Sequence, residues 1–256
     1  MALTLAVVLI GLFLITPTVI VVVMSFSTGT TLHFPPPGLG VRWYQAFFRS
    51  GQWTDAASTS LEVAVLATLL ATVLGTTTAL GLVRGRFPFK GAVTAILLSP
   101  LIIPIVIVAV GMYMMYSRWG MTGSVAGMVA AHTCLGMPFV VVNVLASLAV
   151  LDRNLERAAN SLGAGPIRTF FRITLPLILP GVLAGALFAF VTSWDEVVAS
   201  LFLSSPFVRT LPVVMWSVVR SQIDPTIAAV AALLTAATII LFASVQMARR
   251  RGSKLS

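Results

Sequence analysis

Charge is scarce in this chain. Only 9% of its 256 residues are Asp, Glu, Lys or Arg, against 58% hydrophobic, and mean hydropathy is +1.03. A soluble domain could not hide that much apolar surface, so the solvent must be lipid. Cysteine occurs once, at Cys134, which excludes an intrachain disulfide; lying in an apolar run, it says nothing about redox compartment. There is no Gly-x-x-x-x-Gly-Lys-Ser/Thr, no phosphate-cradling loop and no soluble domain to bind nucleotide. Ionisable residues are too sparse inside the apolar runs to couple transport to protons. No nucleophile–base pair, metal-ligand cluster or paired acids within a span stands out, so neither catalytic residues nor a metal site are expected. His132 and Cys134, two residues apart, point to different faces of a helix and make poor metal ligands. His132 is expected to be packed or hydrogen-bonded rather than a proton relay.

What is present is a series of apolar runs. They predict an all-α, polytopic membrane protein, residues 1–256 forming one permease domain, with six spans at about 3–24, 61–83, 91–116, 125–149, 176–203 and 226–247. The first run lacks a basic segment before it and an obvious cleavage site after it, so it is expected to be retained as a span rather than removed as a signal peptide. The third carries Pro100 and Pro104, which predict a bend or break. Small residues repeat every four positions at Ala71, Gly75 and Ala79, at Gly181, Gly185 and Ala189, and at Ala228, Ala232 and Ala236, as close helix packing requires. The neighbour of the second stripe is open to being a partner subunit. Between spans, residues 25–60 read as an outer segment whose Trp43, Tyr44, Phe47 and Phe48 are expected at the membrane interface. Residues 211–220 are too short to cross and read as re-entrant or interfacial.

The excess of positive charge, +9 overall, follows the same topology. Arg84, Arg86, Lys90, Arg153, Arg157, Arg168, Arg172, Arg249, Arg250, Arg251 and Lys254 fall on one side, eleven of the sixteen basic residues. By the positive-inside rule that side faces the cytoplasm, with both termini inside. The basic residues are not interleaved with exposed aromatics on one folded surface, so nucleic acid is not the expected partner; membrane lipid is.

Residues 152–181 are the most ordered polar passage. Leu155, Ala158, Ala159 and Leu162 give one apolar face to a short helix, with Glu156, Arg157, Asn160 and Ser161 elsewhere on it. Asp152 can cap its start, Gly163 can end it, and Pro166 suits the first turn of a second, brief helix. Ile167, Phe170 and Phe171 give that helix an apolar edge, Arg168 and Arg172 a cationic one, and Pro176 disfavours helix at Leu175. An amphipathic elbow between spans results, at 152–175. It could lie on lipid headgroups, but a headgroup binder would not need the central glycine break.

Ala158-Ala159, Leu162-Gly163-Ala164, Phe170, Ile173, Leu175-Pro176 and Pro180-Gly181 resemble the "EAA" loop of bacterial ABC importer permeases. The resemblance implies the type I ABC importer permease fold, a location in the bacterial inner membrane, and a cytoplasmic coupling helix that docks into a cleft of an ATPase subunit. Its contact residues would be Glu156, Arg157, Ala158, Ala159, Leu162, Gly163, Ala164 and Phe170. Aligned on Gly163, the family's glutamate position holds Arg157, and the nearest carboxylate is Glu156, so which of the two makes the key contact stays open. The resemblance also implies partners: a homologous permease forming a heterodimer, two ATPase subunits that bind ATP and Mg, and an external solute-binding protein. This chain itself would need no cofactor. An ATP-independent carrier or channel is the rival in another class.

A second polar group lies about 19 residues into the fifth run, roughly 29 Å along a helix, at Trp194, Asp195 and Glu196. The run from Pro176 to Leu203 is too long for one straight crossing, so the acids should sit at its outer end or face a wet cavity. Two adjacent carboxylates and an indole face suit a cationic solute. The alternative is an interfacial tryptophan beside acids that face water or a partner protein. Ser193-Trp194-Asp195-Glu196-Val197-Val198, Thr210-Leu211-Pro212, Met215-Trp216-Ser217 and Ile223-Asp224-Pro225-Thr226-Ile227-Ala228-Ala229 resemble the second permease of spermidine/putrescine importers. Polyamine transport is what that resemblance implies. Related importers of other small solutes share much of the pattern.

Overall fold

The computed structural model of the chain describes residues 1–221 and 224–252; Ile223 and Lys254, and the side chains of Arg249, Arg250 and Arg251, lie outside the described residues. The helices in order are α1 (Ala2–Ser25), α2 (Arg42–Arg49), α3 (Gly51–Arg84), α4 (Lys90–Leu98), α5 (Ile105–Arg118), α6 (Val125–Ala149), α7 (Arg153–Ser161), α8 (Pro166–Thr169), α9 (Leu175–Trp194), α10 (Val198–Leu203), α11 (Leu211–Ser221) and α12 (Thr226–Gly252). A 3-10 turn covers Ser99–Leu101 and a π-turn covers Phe170–Thr174.

Among the described residues, five helical stretches are long and apolar enough to cross a membrane: Leu3–Ser25, Gly51–Arg84, Val125–Ala149, Pro166–Trp194 and Thr226–Ser244. The third expected span is a pair, Lys90–Leu101 and Ile105–Arg118, bent by 104°, and counting it as one crossing gives six. The bend has a local cause. Pro100 and Pro104 lack N–H groups, and Pro104 is extended (ψ 127°) immediately before α5, so the helical ladder cannot run through.

Two compact units make up the chain. One comprises Met1–Ser58 and Thr210–Ser244. Its core joins Phe47 of α2, Trp53 and Ala56 at the start of α3, Leu211 and Val214 of α11, and Val230 of α12. Burial of Trp53 and Ala56 explains why helix begins at Gly51, ahead of the expected span. In the same core Phe47 is only 6% exposed, while Phe48 stays open. Tyr44 is held too: its hydroxyl lies 2.7 Å from Ser25 Oγ and its ring packs on Phe26.

The other unit contains Thr59–Arg209. Here α6 and α9 pack along their length, with Val140, Val144 and Leu148 against Ile178, Val182 and Ala189. Lipid tails are as apolar as leucine, so close approach and dispersion, not escape from water, hold such a pair. Gly185 makes the approach possible. A Cβ there would lie 2.7 Å from Val140 Cα. The neighbour of the Gly181, Gly185 and Ala189 stripe is therefore α6 of the same chain rather than a partner subunit. A second cluster, including Met112, Tyr116, Met128, Leu135 and Leu203, joins α5, α6 and α10.

Candidate functional site

The elbow forms as its capping residues dictate. Asp152 Oδ1 accepts the Asn154 N–H at 2.9 Å, opening α7. At the other end Gly163 is left-handed, φ 83°, and donates its N–H to Asn160 O at 3.0 Å, while Ala164 N–H reaches Ala159 O at 3.0 Å. These are the two crossed bonds of a Schellman ending, which satisfies carbonyls that a helix end otherwise leaves bare. Two residues later Pro166 opens α8, and Thr169 Oγ1 donates to Asn160 Oδ1 at 3.2 Å, tying the short helices together.

The second short helix does not end at Leu175 as Pro176 predicts. Helix continues from Pro166 through the π-turn into α9 without a break, to Trp194. Leu175 N–H bonds to Phe170 O, five residues back. That wide turn takes up the missing donor and the bulk of Pro176, as π-turns do inside helices. The elbow's second helix and the fifth span are thus one continuous helix of 29 residues, about 43 Å long, with α7 set off from it by the Gly163 turn.

The elbow's side chains divide sharply by exposure. Leu162 is 89% exposed, Ile167 74% and Phe171 61%, an apolar knuckle around Gly163 flanked by exposed Arg157, Ala158, Arg168 and Arg172. Ala164 and Phe170 are half-buried, and Ala159 is buried. Glu156 turns inward: its Oε1 is shared by Arg84 Nη2, in an ion pair, and by Thr174 Oγ1. Sequence reasoning missed Arg84 and Thr174, which lie 72 and 18 positions from Glu156. No local pattern in the chain could pair them.

The Trp194-Asp195-Glu196 group sits where α9 stops. Asp195 caps α9 through its N–H to Val191 O, and its side chain is exposed. Glu196 is only 7% exposed, and its Oε1 accepts the Ala199 N–H at 2.8 Å in the first turn of α10. The fifth run is therefore two helices, and one of the two carboxylates is occupied with holding the second. They do not form the pair of equally available acids that the sequence suggested. Trp194 stacks on Phe190 with ring centroids 5.7 Å apart and planes at 21°, so one indole face is covered. His132 of α6 braces the junction: Nδ1 lies 2.7 Å from Ser193 Oγ and Nε2 2.8 Å from Ser200 Oγ, with the ring 1% exposed. It is a hydrogen-bonded core residue, as expected, and both serines were missed.

Residues 71–253 match the family model described as the binding-protein-dependent transport system inner membrane component. The chain is 34% identical over 236 residues to the putrescine transport system permease protein PotI of Escherichia coli, covering 90% of this chain and 84% of that one. It is 29% identical over 242 residues to the spermidine/putrescine transport system permease protein PotC of the same organism, covering 94% and 91%. Among solved structures, a bacterial ABC transporter involved in the import of the acidic polysaccharide alginate matches with a TM-score of 0.77 at 14% identity, covering 95% of both chains. The chain belongs to the binding-protein-dependent transport system inner membrane component family, and its fold is that of an ABC importer permease.

Proposed function

We propose that this inner-membrane permease carries a polyamine, putrescine or spermidine, as one half of a heterodimeric pathway driven by two separate ATPase subunits and fed by an external solute-binding protein. The similarity to putrescine and spermidine/putrescine permeases over nine-tenths of the chain supports the solute class. The observation that carries the mechanism is an exposed apolar knuckle made by Leu162 at the end of α7 and by Ile167 and Phe171, the latter two on a helix continuous with a membrane span. Such a knob suits a cleft in a soluble partner, and movement there passes as a rigid body into α9. Arg157, Ala158, Gly163 and the half-buried Ala164 and Phe170 form the rest of this docking end, which faces the cytoplasm together with both termini. The whole of 1–256 acts as one permease domain. ATP and Mg belong to the ATPase subunits, and the chain does no bond chemistry.

At the far end of α9, exposed Asp195 meets the cationic solute or the protein that delivers it, with Trp194 beside it. The inward turn of Glu196 leaves Asp195 as the exposed acid of the group, which favours a second solute reading: another small solute carried by the same machinery. Uptake of labelled putrescine and spermidine into proteoliposomes distinguishes them, with ATPases, partner permease and binding protein reconstituted and each omitted in turn. ATP-dependent polyamine uptake that needs every component supports the proposal. ATP turnover stimulated by loaded binding protein without polyamine movement selects the second solute reading, and uptake by this chain alone refutes the ATP-driven mechanism.

A further inference from the structure

We propose that Arg84, Glu156 and Thr174 form a clamp that links the elbow to α3 as well as to α9, making Glu156 a positioning residue for coupling rather than a contact to the ATPase. The inference rests on the permease reading above. Arg84 is the last residue of α3, Glu156 lies in the first turns of α7, and Thr174 ends the π-turn that leads into α9. One carboxylate oxygen of Glu156 receives both the guanidinium and the Thr174 hydroxyl, and Arg84 Nη2 also reaches Thr174 Oγ1 at 3.2 Å. Arg153 adds a second tie, its Nη2 donating to Val83 O at 3.4 Å.

The elbow is joined covalently to the end of α6 and to α9, but α3 is remote from it in the chain. Motion at the knuckle therefore reaches α3 through side chains, and beside the apolar packing of Leu80 and Val83 with Leu151 and Leu175 these are polar contacts that join the elbow to α3. Thr174 is fully buried and Glu156 largely so, while the Arg84 side chain stays 40% exposed, so the charge-assisted pair sits at the edge of the protein and is only partly shielded from screening salt. Both charges also suit their helix ends, the arginine at the C-terminus of α3 and the glutamate near the N-terminus of α7. A carboxylate engaged in this way is not free to pair with a subunit docking from outside, whereas Arg157 beside it remains exposed.

The test uses the complete reconstituted transporter and reads solute moved per ATP hydrolysed, together with the amount of ATPase that co-purifies. Arg84→Gln and Glu156→Gln should each lower solute moved per ATP about fivefold with the ATPase still bound, and the swap of Arg84→Glu with Glu156→Arg should recover most of the loss. Thr174→Val should lower the ratio in the same direction by a smaller factor. If the single variants fail to accumulate while the swap accumulates and couples, the clamp is supported equally. Unchanged ratios in both single variants overturn the clamp, as does a swap no better than the singles. Loss of the ATPase from the Glu156→Gln complex but not from Arg84→Gln assigns the glutamate to the ATPase and also overturns it. A wild-type complex that couples no uptake to ATP refutes the underlying permease reading instead.

Discussion

Gly185 and Val140 meet so closely that a Cβ on Gly185 would fall 2.7 Å from the Val140 Cα and 3.3 Å from its Cβ. The nearest atom is backbone, which cannot rotate aside. We predict that Gly185→Ala forces α6 and α9 apart and destabilises the protein by about 1–3 kcal/mol, as overpacking does. Gly81→Ala is the control, since its Cβ would meet nothing within 4 Å, and helix propensity favours alanine there by about 0.5–1 kcal/mol. Thermal unfolding of the two variants in detergent checks the contrast; equal stability would remove the close contact from the α6–α9 packing.

Gly163 holds the elbow's turn at φ 83° with open space around it, so the demand there is conformational rather than steric. Valine should cost about 1–2 kcal/mol in the left-handed region and asparagine less, because its short amide tolerates that region. Gly163→Val is therefore predicted to uncouple ATP hydrolysis from uptake, with Gly163→Asn intermediate. Paired ATPase and transport assays on the reconstituted complex measure both; full coupling in the valine variant would exclude this turn from force transmission.

Asp195 and Glu196 should separate on mutation, although they are adjacent in sequence. Glu196→Ala removes a buried acceptor from the Ala199 N–H and is predicted to cost about 1–2 kcal/mol of stability. Asp195→Asn touches an exposed side chain and should leave stability within about 0.5 kcal/mol while lowering cation uptake. Unfolding and uptake measured on the same preparations decide the matter. A stability loss confined to the Asp195 variant would reverse these roles.

His132→Leu should strand the hydroxyls of Ser193 and Ser200 in a buried site, at about 1–3 kcal/mol for each group left unsatisfied. Combining it with Ser193→Ala and Ser200→Ala removes the stranded partners. The triple variant is predicted to be more stable than His132→Leu alone, by thermal unfolding. An equal or lower stability would mean that the hydroxyls find other partners once the imidazole is gone.

The membrane class and the six apolar runs follow from the order of residues alone, because apolar length against bilayer thickness is a property of composition along the chain. So do the elbow's capping residues Asp152, Gly163 and Pro166, since helix ends are specified by their nearest neighbours. Locality also marks where that reasoning stopped. Pro176 alone predicts a break, and only the geometry of the preceding turn, with Leu175 bonded back to Phe170, lets the helix pass through it. Trp194, Asp195 and Glu196 read as one polar cluster, but the end of α9 leaves Asp195 exposed while Glu196 is drawn in to hold α10. The partners of Glu156 and His132 lie between 18 and 72 residues away, too far for any periodicity to register. Burying a carboxylate such as Glu156 or an imidazole such as His132 costs less when it is hydrogen-bonded, and which partner it finds is decided by which helices pack side by side.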